Sequence, residues 1–193
     1  MRAASTPNHL ARREELIRAA MSVLRRGGLT ACTARAIADA SPLTKSALHY
    51  YFADTDEIVD VAFRRLMEQF LERVQDAAAA APDPLSALWA ATEAYLRLGS
   101  DRPDRVPMFW FEMQTAAVRE HRMETVTELT VRAERFFSNL VAATGVRNPE
   151  ALGSTWISAL VGYVVRQAML ARPVPALLEE LSAAMAVPLP VAP

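Results

Sequence analysis

The chain has 193 residues, 52% of them hydrophobic and 22% charged, with a formal net charge of −1. That is apolar enough to bury one substantial core, or one core with a small attached domain, and it excludes a disordered chain. Cys32 is the only cysteine, which excludes an internal disulfide and a cysteine-built metal site, while six glycines and no run of alternating Val, Ile and Thr argue against a sheet protein. The wealth of Ala, Leu, Arg and Glu predicts an all-α fold.

In chain order, Leu16, Ala20 and Leu24, with Ile17 beside them, form a helical stripe between about Asn8 and Arg26, which Gly27-Gly28 ends. Thr33 to Phe52, TARAIADASPLTKSALHYYF, then packs two short amphipathic helices around a tight break. Ala36, Ile37 and Ala40 fall at helical spacing behind Thr33, a capping residue, and Ser41-Pro42-Leu43 breaks the helix. Thr44 caps the second helix, on which Ala47, Leu48 and Tyr51 turn inward and Lys45, Ser46, His49 and Tyr50 outward. This is the pattern of a helix-turn-helix.

Asp54 and Glu57 form a capping box for a long helix that carries Ile58, Ala62, Leu66 and Phe70 and reaches Ala81. Its roughly 27 residues would extend about 40 Å, enough to link movement in a body to the placement of a head. Pro82-Asp83-Pro84 ends it and starts a helix with Leu85, Leu88, Trp89, Thr92, Tyr95 and Leu96 on its apolar face. Gly99 to Pro107 is predicted as a loop with at most a short helical turn, before helix resumes at Met108. A seventh helix is expected from about Glu120 to Thr144, with Met123, Val126, Leu129, Ala133, Phe136 and Leu140 inward and Gly145 at its end. The eighth opens at Asn148-Pro149 and reaches about Arg172, and a ninth spans Val174 to Ala186 before a proline-rich tail.

Charge is unevenly spread. Through Phe52 there are eight basic residues against three acidic, a balance of +5, and the remainder carries −6. A basic head on an acidic body suits a polyanion partner at the N-terminal end. The N-terminal MRAASTPNHLARREEL has no apolar stretch of signal-peptide length, and Trp156 to Val165 is about half of what a bilayer requires, so a cytoplasmic protein without a membrane partner is expected.

From roughly Arg13 to Ala62 the chain resembles the TetR family of transcriptional regulators. The residues that carry the resemblance are Ala19-Ala20, Gly27-Gly28, Thr33, Ile37-Ala38, Thr44-Lys45 and the string Leu48-His49-Tyr50-Tyr51-Phe52. Two positions depart from the usual pattern: Pro42 stands in the turn where family members carry Gly, and Thr55 where a phosphate-contacting Lys often opens the fourth helix. With φ locked near −65° at Pro42, a turn that avoids positive φ follows. The resemblance implies an N-terminal three-helix head, residues 1–52, that binds DNA, joined by the long helix to a ligand-binding and dimerisation body, residues 53–193. It further implies a repressor that meets a near-palindromic double-stranded operator as a homodimer, without a cofactor, and leaves it when a small apolar effector binds.

Lys45, Ser46, His49 and Tyr50 are the candidates for base and phosphate contact, with Thr33 and Thr44 as further phosphate donors. The family analogy places a ligand pocket among Trp89, Tyr95, Met108, Phe109, Trp110, Met113, Phe136 and Phe137, with Glu112, Gln114, Arg97 and Arg166 to orient the ligand. The eighth helix is apolar nearly all round, so it must be covered on two sides. Its Leu152, Trp156, Leu160, Val161 and Val164 are the candidates for a dimer interface, with Gly153 and Gly162 permitting close approach. His9, His49 and His121 are scattered, and no G-x-S-x-G, Walker loop, dinucleotide fingerprint or H-E-x-x-H helix is present, so neither an enzyme nor a metal centre is expected. The alternative from another class is a helical enzyme or scaffold whose N-terminal bundle only resembles a DNA-binding head.

Overall fold

A computed structural model describes residues 7–100, 106–120, 123–170 and 172–190, the side chains of 7, 98–100, 106–109 and 168–169 excepted. The described residues form helices α1 (Pro7–Gly27), α2 (Ala34–Asp39), α3 (Lys45–Tyr51), α4 (Thr55–Ala79), α5 (Pro84–Ser100), α6 (Val106–Glu120), α7 (Glu124–Ala143), α8 (Pro149–Leu170) and α9 (Val174–Met185), with no strand among them. No helix among them is long and apolar enough to cross a membrane.

The starts of these helices follow local chemistry. Thr33 accepts the Ala36 amide and Thr44 the Ala47 amide, each from extended backbone. Asp54 accepts the Glu57 amide at 2.8 Å, and the Glu57 carboxylate reaches back to the Ala53 amide at 2.7 Å, a near-reciprocal cap for α4. Asp83 accepts both the amide and the hydroxyl of Ser86, and those bonds hold its carboxyl below the ordinary range.

Two stretches depart from expectation. Gly99, Ser100, Val106 and Pro107 are helical, and residues 101–105, like His121, lie outside the described residues. Proline in the first turn of a helix gives up an amide that has no intrahelical partner, so Pro107 opens α6 at no cost. α6 also runs on through Glu120 and α7 begins at Glu124, which leaves Met123 ahead of the helix and exposed instead of inward.

The described chain packs as two compact units. The first comprises Met1–Met67 with Pro103–Thr125. In it α1 packs on α2 and α2 on α3. Leu16, Ile17, Ala20 and Leu24 of α1, Ile37 of α2, Leu48 of α3, Phe52, and Ile58, Ala62 and Phe63 of α4 are all buried. Arg65 of α4 pairs with Glu14 of α1, and the Trp110 ring of α6 stacks on Phe63 with centroids 5.9 Å apart.

The second unit comprises Glu68–Arg102 with Val126–Pro193. Here α5 packs on α8 and α9, and α8 on α9. Its centre holds Leu88, Trp89, Thr92, Phe137, Trp156, Leu160, Leu177 and Leu181. Where α7 meets α8, a Cβ built on Gly153 would lie 2.5 Å from the Ser138 Cα, so the crossing is close enough to demand glycine. Between α8 and α9 the Arg172 amide donates to the Gln167 side chain at 2.8 Å and the Arg172 guanidinium grips Glu180.

Candidate nucleic-acid interface

The six residues expected to meet DNA, Thr33, Thr44, Lys45, Ser46, His49 and Tyr50, are all exposed in the first unit. Tyr50 is the most exposed large ring among the described residues, at 72%. α3 owes this to one buried anchor: Leu48 is fully enclosed, so the four outward positions around it face solvent. Each threonine hydroxyl accepts a capping amide through its oxygen, which leaves the hydroxyl hydrogen as a donor.

The turn between the two helices is built without a left-handed residue, as Pro42 requires. Among the described residues positive φ occurs at Gly28, Gly145, Asn148 and Ala186, and none of these lies between α2 and α3. The Ser41 hydroxyl closes the turn instead, accepting from the Leu43 amide at 3.0 Å and bonding the carbonyls of Ala38 and Leu43.

Part of the basic excess of the head is committed internally. The Arg13 guanidinium sits 4.6 Å over the Phe52 ring, Arg12 pairs with Glu15 at 3.0 Å, and exposed Arg35 lies 3.8 Å from Asp39. Arg18, Arg26 and Lys45 are exposed. His9 of α1 was not anticipated as a neighbour of α3, yet its ring lies 4.8 Å from Tyr51 and 5.9 Å from Tyr50. Nothing in the spacing of His9 foretells this, because the contact spans two helices. Cys32 is buried, its sulfur 3.8 Å from the Ala20 carbonyl, and burial pushes the thiol up to about 12. It is a packed apolar group.

The residues expected to line a ligand pocket are shared between the two units. Trp110, half-buried, and Met113, buried, belong to the first unit; Trp89, Tyr95, Phe136 and Phe137 belong to the second. The side chains of Met108 and Phe109 lie outside the described residues. Trp89 is 3% exposed, and its indole N–H donates to the Pro188 carbonyl at 2.7 Å, which makes it a core residue. Tyr95 and Phe136 are half-buried on fully buried Phe137, with centroids 6.0 and 5.3 Å from it, and burial raises the Tyr95 phenol above its ordinary range. Of the four orienting residues, Arg97 is paired with Glu93, Gln114 is half-buried, Arg166 is exposed, and Glu112 accepts the Leu29 amide at 2.6 Å.

The expected dimer face also divides. Trp156 and Leu160 are fully enclosed and Val164 nearly so, by their own unit, so these three are core and have no surface to offer a second subunit. Leu152 and Val161 remain half-buried. The all-round apolar pattern of α8 could not distinguish its inner side from its outer one. Gly153 serves the α7–α8 crossing within the chain, whereas a Cβ on Gly162 meets nothing within 4 Å.

Residues 16–62 match the family model described as bacterial regulatory proteins, tetR family. The HTH-type transcriptional repressor KstR2 of Mycobacterium tuberculosis is 32% identical over 77 residues, which are 40% of this chain and 38% of that repressor, so the match spans well under half of the curated relative. The fold is similar over more of its length: a TetR transcription regulator from Haloarcula marismortui gives a TM-score of 0.76 at 19% identity, covering 92% of this chain and 97% of that one. The structure of the ketosteroid transcriptional regulator KstR2 gives 0.60 at 17% identity, covering 96% and 97%.

Proposed function

We propose that this chain, which carries the helix-turn-helix segment and the all-helical fold of the TetR family of transcriptional regulators, is a repressor that binds a near-palindromic operator as a homodimer. Residues 1–52 are the DNA-binding part and residues 53–193 the ligand-binding and dimerisation part. The observation that carries the reading is the exposure of Thr33, Thr44, Lys45, Ser46, His49 and Tyr50 around one buried anchor, Leu48. These side chains supply hydroxyl, ammonium, imidazole and phenol donors to phosphates and base edges. Lys45, Arg18 and Arg26 add the sequence-independent attraction.

A seven-residue recognition helix offers few base contacts, and two-fold symmetry doubles them. The outer side of α8, with Leu152, Val161, Gly162 and Val165 at its half-buried and exposed positions, is the face assigned to the second copy. The effector is a small apolar molecule, for which half-buried Tyr95 and Phe136 supply an aromatic surface. It acts by preferring the state that does not bind DNA, and its effect is limited to that difference in affinity.

Titrating the full chain against the DNA flanking its own gene, at several salt concentrations, tests this reading. Specific retention of one duplex, with affinity falling steeply as salt rises, is the expected result. Equal and weak binding to every duplex would overturn it.

A further inference from the structure

Glu112 lies on α6, 83 residues beyond the residue it holds. Its carboxylate accepts the Leu29 backbone amide at 2.6 Å in the corner between α1 and α2. A short, charge-assisted bond of this kind is among the stronger contacts a backbone amide makes. The corner is shaped around it. Gly28 has φ +74, a backbone conformation that favours glycine, and a Cβ built there would sit 2.8 and 3.0 Å from the two Glu112 oxygens, so a side chain at 28 would push the carboxylate away from Leu29.

From Leu29 the contact passes directly to the DNA-facing residues. The Leu29 carbonyl accepts the Cys32 amide at 3.0 Å, Cys32 is buried, and the next residue, Thr33, caps α2. α6 is itself fastened within the same unit: Met113 is buried and Trp110 stacks on Phe63 of α4. The corner before α2 is therefore tied to a helix that is remote in sequence.

We propose that Glu112 is a positioning residue for operator binding: its carboxylate pins Leu29, and through the turn from Leu29 to Thr33 it sets the seating of α2 and α3 for base contact. The inference rests on the reading that this chain binds an operator.

The test separates reach from charge. Glu112→Asp keeps the charge but is one methylene too short for the Leu29 amide, and Glu112→Gln keeps the length and an acceptor oxygen without the charge. Both are compared with the wild type on a duplex that the full-length wild type enriches from a random-sequence pool, on a scrambled duplex, and by hydrogen exchange at the Leu29 amide. Glu112→Asp should lose about tenfold or more in affinity for the enriched duplex and less than about twofold for the scrambled one, with faster exchange at Leu29. Glu112→Gln, which keeps the bond without its charge, should lose less than Glu112→Asp on the enriched duplex and at the Leu29 amide, and stay within about twofold of wild type on the scrambled duplex. Wild-type affinity in Glu112→Asp, an equal loss on both duplexes, or a Gln variant as weak as the Asp variant overturns the proposal. Enrichment of no duplex by the wild type removes the DNA-binding reading itself, which distinguishes that failure from a failure of Glu112 alone.

Discussion

The indole N–H of Trp156 donates to the hydroxyl of Thr92 across 3.0 Å, and Thr92 passes its own hydrogen to the Leu88 carbonyl at 2.7 Å. Both side chains are fully buried, and the Trp89 ring meets Trp156 edge-on at 5.1 Å. Thr92→Val preserves the shape and removes the acceptor, which leaves a buried indole N–H unsatisfied. The expected cost is about 1–3 kcal/mol, read as a lower midpoint in urea at unchanged slope. A midpoint equal to wild type would show that the bond contributes nothing net.

The two sides of α8 should respond in opposite ways to a charge. Leu160→Glu and Val164→Glu place a carboxylate in the unit's own core and should abolish the helical circular-dichroism signal at room temperature. Val161→Glu and Gly162→Glu should leave that signal intact and halve the mass seen by light scattering, if the outer face meets a second copy. A folded protein of unchanged mass in the outer-face variants would exclude α8 as the interface.

The two glycines of α8 give a sharper form of the same contrast. Gly153→Ala drives a methyl group into Ser138 and should cost about 1–3 kcal/mol. Gly162→Ala meets open space in a single chain and should stabilise a monomer by up to about 1 kcal/mol through helix propensity. In a tightly packed dimer the sign at Gly162 reverses, so thermal melts over a range of protein concentrations distinguish the two cases.

On the exposed side of α3, Lys45→Ala should weaken enriched and scrambled duplexes alike and reduce the magnitude of the salt slope by about one unit, the signature of one lost phosphate contact. His49→Ala should reduce operator affinity with stability within about ±0.5 kcal/mol, whereas Leu48→Ala should cost about 2–5 kcal/mol because Leu48 is fully buried. Equal melting shifts for His49→Ala and Leu48→Ala would show that His49 is packed.

Cys32 provides a pH test. Its thiol is held neutral in the folded chain up to about pH 12, while in the unfolded chain it ionises near the ordinary thiol value. The folded state therefore keeps its full advantage below the unfolded pKa and loses it as the pH rises from there toward 12. Thiol-specific reagents at pH 8 should label Cys32 only in denaturant, and rapid labelling of the native chain would show an open path to the sulfur.

Much of the fold was legible in the residues themselves, because caps and short amphipathic helices are specified locally. Thr33, Thr44, Asp54 and Asp83 each start a helix through a bond no more than three residues long, and Leu48 alone is enough to direct Lys45, Ser46, His49 and Tyr50 outward. What the chain by itself could not decide were choices made by its distant parts. A helix apolar on every side gives no hint of which side its own unit will cover, so Trp156, Leu160 and Val164 became core only when α5 and α9 packed against α8. An acidic residue among aromatics is equally silent about its partner. Glu112 looked like an orienting group for a ligand, and tertiary structure alone could bring it 2.6 Å from the Leu29 amide, since that contact depends on how α6 folds back onto the corner between α1 and α2.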